Sequence, residues 1–124
     1  MMVAGFGCAS RVTDDSLRAL LGRAKMAGKI DALACPEARA AVLRPLALTT
    51  GVPLIALPAQ ALAGVTTPTQ SPRMLDTFGT GSVAEACALV AVARAGAMGA
   101  RIVVARMTSE DGLATCAVAE GEQQ

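Results

Sequence analysis

Residues 101–119 read RIVVARMTSEDGLATCAVA. Two apolar runs, Arg101–Arg106 and Leu113–Ala119, flank a polar turn at Thr108–Gly112. The turn is too short to hold a crossover helix, so the runs are expected to pair as an antiparallel hairpin. Everything upstream alternates short apolar runs with helical patterns. Alternation closed by a hairpin implies an α/β fold, a three-layer α/β/α sandwich around a mixed sheet of about five strands.

The element before the hairpin, Ser82 to about Ala97, carries the clearest helical pattern. From Val83 to Ala93 its only charged residue is Glu85. A helix apolar nearly all round is buried on most sides, under other elements or against a second copy of the chain. A homodimer is therefore a candidate assembly. Gly64–Gly79 reads as a long loop rich in Thr, Pro and Ser, with one helical turn near Arg73–Asp76. Loops of that length are usually functional or mobile.

Further upstream, Pro53–Leu57 is a third strand and Pro58–Ala63 a short helical turn. Ala38 to Thr50 is helical in pattern, begun by Pro36 and Glu37 and ended by Gly51. Pro45 complicates it, since an interior proline costs about 3 kcal/mol. Ile30–Ala34 is a second strand. Thr13, Asp14 and Asp15 start a helix that continues through Leu17, Leu20, Leu21 and Ala24 and stops near Gly28. Met2–Gly5 is the first strand, and Gly5–Ser10 reads as the loop after it. One domain over 1–119 with a flexible tail over 120–124 is expected.

Composition removes several function classes. The chain has 124 residues, 53% of them hydrophobic, with two Phe, no Tyr and no Trp, so Ala, Val, Leu, Ile and Met must build the core. Eleven basic and ten acidic residues leave a net charge of +1, which gives no electrostatic footprint for nucleic acid. The absence of histidine removes Ser-His-Asp and Cys-His catalysis and the usual general base near neutral pH. Cys8, Cys35, Cys87 and Cys116 are widely spaced, without a CxxC pair, so they read as reduced thiols of a cytoplasmic protein and no metal is expected. No signal peptide and no membrane span are expected.

Two glycine-rich segments are candidate sites. In GTGSVAEAC, residues 79–87, Ser82 and Glu85 fit a capping box: the Ser82 hydroxyl accepts from the Glu85 amide, and Glu85 reaches back to the Ser82 amide. That box leaves Gly79 and Gly81 unexplained. Glycines there also suit an anion held at a helix N-terminus, contacted by Thr80 and Ser82. Both readings stand. A nucleotide or phosphate module is the rival of another class, though no Walker lysine follows. In the first segment, Gly5-x-Gly7-x-x-Ser10 is a near miss to the dinucleotide fingerprint. The third glycine is missing and the helix starts too late, so no cofactor is expected. Cys8 lies where open sheets bind ligands, with Arg11 near enough in sequence to lower its pKa; the alternative is a small buried residue. Arg11 and Arg73 are the basic residues in loops near the suspected cleft, which the Gly5–Arg11 loop, the Gly64–Gly79 loop and the start of the Ser82 helix are expected to form. Candidate catalytic groups are Cys8, Asp76 and Glu85.

GFGC near the N-terminus, the helix after it, GTGSVAEACAL and the closing hairpin resemble the CobE/CbiG C-terminal family of cobalamin biosynthesis over nearly the whole chain. The GTGSVAEACAL stretch is the specific part. The resemblance implies action on a precorrin or corrinoid intermediate, as a stand-alone module of the oxygen-dependent pathway. Longer members are linked to opening a lactone on a cobalt-precorrin, so hydrolysis, carriage of an unstable intermediate and assistance to other pathway enzymes are all implied roles. The family commonly has an arginine directly after the cysteine; here Ala9 and Ser10 intervene before Arg11. A Pro-Lys pair is common where this chain has Ala105 and Arg106. A ligand with acetate and propionate side chains makes Gly5, Gly7, Cys8, Arg11, Gly79, Thr80, Gly81 and Ser82 the expected contact set, with the 79–82 loop both capping its helix and contacting an anion.

Overall fold

A computed structural model describes residues 1–123; position 124, the end of the expected tail, lies outside the described residues. Five strands form one mixed sheet: β1 (Met2–Cys8), β2 (Ala32–Pro36), β3 (Leu54–Leu57), β4 (Met98–Thr108) and β5 (Ala114–Glu122), in the order β3-β2-β1-β5-β4. β1, β2 and β3 are parallel, and β5 runs antiparallel to both β1 and β4. The expected hairpin and the α/β sandwich are both present.

Helices cover the two faces. On one side lie α1 (Asp14–Ala24) and α2 (Ala40–Thr50), which bury Leu17, Leu20, Leu21, Leu43 and Leu46 against Phe6, Leu33 and Val118. On the other lie α3 (Ala59–Leu62), α4 (Pro72–Phe78) and α5 (Val83–Arg94). There Ala84, Ala88, Ala91 and Val92 of α5 are fully buried, and the cluster on this face includes Val3, Ala34 and Ala119 of the sheet. Period-two alternation along β1 sends Ala4 and Phe6 to the first face and Val3 and Gly5 to the second.

Gly5 explains how close the second layer lies. A β-carbon there would overlap the carbonyl oxygen of Ala84 and stand 2.6 Å from the Ala88 nitrogen. The backbone of α5 therefore rests directly on β1. A chain rich in alanine and nearly free of aromatics permits that approach. The apolar character of α5 on most sides is thus accounted for within the chain.

Several boundaries move. Gly5–Cys8, read as a loop, is strand, because β1 pairs with β5 all the way from Met2 to Cys8. The segment 64–79 contains a two-turn helix where one turn was expected, started by Ser71, whose hydroxyl accepts from the Met74 amide. Glu120–Glu122, read as the start of a tail, are the last residues of β5, with Gly121 donating to the Met1 carbonyl. Pro45 sits inside α2 on its exposed side, where its ring faces water. No single helix among the described residues is long and apolar enough to cross a membrane.

Candidate functional site

The glycine-rich stretch 79–82 is turned inward. Gly79 ends α4 in the left-handed conformation, at φ 74°, which requires no ligand to explain that glycine. Its carbonyl accepts from the Gly64 amide at 2.9 Å. Thr80 is fully buried, and its hydroxyl donates to the Val65 carbonyl at 2.8 Å. At Gly81 a β-carbon would come within 2.5 Å of the Thr69 carbonyl oxygen and 2.9 Å of Gln70 Cα. Ser82 caps α5, its hydroxyl accepting from the Glu85 amide at 3.3 Å. The protein's own strap, residues 65–71, therefore occupies the space over this loop.

Glu85 does something the sequence does not announce. The back-bond to the Ser82 amide, expected of a capping box, is not made. The carboxylate is fully buried and accepts instead from the Thr69 amide (2.9 Å), the Thr69 hydroxyl (2.8 Å) and the Arg106 amide (2.8 Å). It ties α5, the strap and β4 together. Both oxygens are satisfied, as burial demands of a charged group. These three bonds make the carboxylate a clamp between the segments that donate them. The partners stand 16 and 21 residues away in the chain, so no local motif signals them.

The other candidate segment lies at the C-terminal end of β1. The connections out of β1 and β2 run toward the β3 edge, whereas the connection out of β3 crosses to β4 at the opposite edge. The chain's course thus reverses at β1, and ligands of open α/β sheets bind beyond the carboxyl ends of the strands at such a point. Pairing of β1 with β2 stops at Gly5 and Ala34. Beyond it stand Gly7, Cys8 and the exposed Arg11. Gly7 is flanked by Val83 of α5 and the Thr115 hydroxyl.

Cys8 is half-buried, whereas Cys35, Cys87 and Cys116 are buried. Burial pushes the Cys8 thiol up, and the nearby cation that opposes this is Arg39, not Arg11. Arg39 donates from Nε to the Cys8 carbonyl at 2.8 Å. Cys35 beside it is pushed up to about 11 and Cys116 to about 12, in both cases chiefly by burial. In all four, burial is the largest influence and disfavours the thiolate. Asp76 is exposed on α4, away from the β1 end in sequence and without a hydrogen-bond partner among the described residues. Arg73 is exposed on the same helix.

The structure therefore gathers Gly7, Cys8 and Arg11 at one edge and adds Arg39, which sequence reasoning missed. The signal for Arg39 was only its position just after the second strand. Cys8, Asp76 and Glu85 share no hydrogen bond with one another among the described residues. No group of three His, Cys, Asp or Glu side chains is placed to hold a metal among the described residues. An edge of this kind can bind an anionic ligand through guanidinium groups beside a small-residue surface.

Comparison with known proteins fits this architecture. The family model described as cobalamin synthesis G C-terminus matches residues 2–119. Among solved structures, CobE, a protein from the cobalamin (vitamin B12) biosynthetic pathway, is 30% identical, with a TM-score of 0.81 over 96% of this chain and 89% of that one. The cobalamin biosynthesis protein chiG from Agrobacterium tumefaciens is 28% identical, with a TM-score of 0.71 over 99% of this chain and all 100% of that one. A cobalamin biosynthesis protein G homolog from Sulfolobus solfataricus shares the fold at 18% identity and a TM-score of 0.68, and this chain spans 37% of it. The comparison with curated protein sequences finds no significant match. With the family model covering all but the ends of the chain, this protein belongs to the cobalamin biosynthesis family defined by the C-terminal domain of CbiG.

Proposed function

We propose that the chain binds a precorrin or corrinoid intermediate beyond the C-terminal end of β1 and serves cobalamin synthesis as a binding or delivery factor. The observation that carries this reading is family membership over residues 2–119. The geometry supports the location. Arg11 and Arg39 suit the carboxylates of acetate and propionate side chains, and Cys8, Ala9 and Ser10 beside them carry only short side chains. The same geometry favours binding over catalysis: the one fully buried carboxylate, Glu85, is locked by three donors, and the Cys8 thiol is pushed toward its neutral form. A cytoplasmic setting and the oxygen-dependent branch belong to the same proposal.

The test is titration with a corrin-ring pathway intermediate, read from the ligand's visible spectrum. A saturable spectral change, with no more than one equivalent of altered ligand per protein, is expected. Many equivalents of product per protein would replace the delivery role with lactone-opening hydrolysis. A folded protein that leaves the spectrum unchanged would remove the reading.

A further inference from the structure

Arg39 ends a 3-10 turn, Glu37–Arg39, and stands at the N-cap position of α2. Its guanidinium is half-buried and fixed. Nε donates to the Cys8 carbonyl at 2.8 Å, and Nη1 makes only a long 3.4 Å contact with the Ala38 carbonyl. The Cys8 carbonyl belongs to a strand residue paired with Ala114, so the anchor is itself rigid. No carboxylate lies within 4.0 Å of this guanidinium among the described residues, and Glu37 on the same turn is exposed and unbonded to it. Arg18 and Arg101, in contrast, are paired with Asp14 and Glu120.

The surroundings reinforce the point. α1 begins with a Thr13 cap and two acids in its first turn, and α5 begins with a Ser82 cap and Glu85. α2 begins with no side-chain cap and no acid in its first turn. α2 continues from the 3-10 turn whose acid, Glu37, is exposed and not bonded to Arg39, so the guanidinium has no carboxylate partner among the described residues.

We propose that Arg39 is a preset carboxylate-binding residue: its Nε on the Cys8 carbonyl orients the fork, and the remaining Nη protons take one carboxylate of an acidic ligand lying across the Cys8–Arg11 edge. An arginine held this way loses little further side-chain freedom on binding, and a planar fork matches a carboxylate in two parallel bonds. The inference rests on the reading of this edge as the ligand site, and it adds the residue and the ligand group.

Two measurements separate its failure from that of the wider reading. In the first, the side-chain Nε–H resonance of Arg39 is followed by NMR while propionate is added to the wild-type protein. Saturable shifts at Arg39 and at the amides of Cys8–Arg11 are expected, with Arg18 and Arg101 still. No movement at Arg39, or movement with inorganic phosphate but not with propionate, overturns the proposal. In the second, uroporphyrin, a tetrapyrrole bearing only acetate and propionate side chains, is titrated against wild type, Arg39→Lys and Arg39→Gln. Loss of about tenfold in affinity or more is expected for Arg39→Gln, with Arg39→Lys between the two. Equal affinity in all three overturns the Arg39 assignment and leaves tetrapyrrole binding standing. Propionate binding at Arg39 without uroporphyrin binding does the reverse. The first measurement needs no variant other than Arg39→Lys for resonance assignment.

Discussion

Glu85 carries more of the architecture than any other single polar side chain. It is the only fully buried carboxylate among the described residues, and its three donors come from two other segments. A glutamine there would keep the shape but turn an amide N–H₂ toward N–H or O–H donors. Glu85→Gln is therefore expected to cost about 2–4 kcal/mol of unfolding free energy, read from urea denaturation. A value within about 0.5 kcal/mol of wild type would contradict the clamp. The Ser82 cap is a smaller matter: Ser82→Ala should cost about 1 kcal/mol by the same measurement. The sequence made half of this visible. Ser-x-x-Glu correctly placed the helix start at Ser82, because a cap is a local device. Glu85's true partners, Thr69 and Arg106, are set by how the strap and β4 pack on α5, which no spacing within the helix reveals.

At the scale of elements, the contact of α5 with β1 and the β4–β5 turn invite separate tests. Gly5→Ala places a β-carbon on the Ala84 carbonyl, so α5 must move; a loss of about 2–3 kcal/mol is expected, and a neutral effect would mean α5 is loosely seated. In the turn, Asp111 accepts from the Ser109 hydroxyl at 2.6 Å, from the Ser16 hydroxyl of α1 and from the Leu113 amide at 3.0 Å. These bonds, the Ser109 one foremost, hold its carboxyl down at about 2. A depressed pKa favours the folded state above the unfolded value, and that contribution is lost as pH falls from about 4 toward 2. The side-chain carboxyl of Asp111 should therefore titrate by NMR near 2, and Asp111→Asn should flatten this part of the stability profile. A midpoint near 4 would show the turn contacts to be absent in solution. Elements with local signals were readable: the Thr13 cap, the Gly51 stop, the hairpin. The strand nature of Gly5–Cys8 was hidden, because its glycines mimic a loop while serving the packing of α5, against Ala84 and Ala88 at Gly5 and Val83 at Gly7.

For the whole molecule, the sheet order is what directs the proposed ligand to the end of β1. Alternation and a closing hairpin were enough to expect a mixed α/β sandwich, since they depend on run lengths and turn chemistry. The order β3-β2-β1-β5-β4 was not legible, and with it the reversal of the chain's course at β1. Both glycine-rich segments were therefore expected to contact the ligand, and the folded chain packs them differently. One is packed under residues 65–71, and the other ends at the half-buried Cys8, whose carbonyl accepts from Arg39.

Cys8 offers a direct reporter of that edge, because the other three cysteines are buried. The decisive measurement is the rate at which iodoacetamide alkylates Cys8, at a pH high enough to ionise it, with and without a corrin-ring pathway intermediate. Ligand seated beyond β1 should slow alkylation in a saturable way, at the same concentrations that change the ligand's visible spectrum. A spectral change with an unaltered Cys8 rate would put the ligand elsewhere on the molecule and contradict the account.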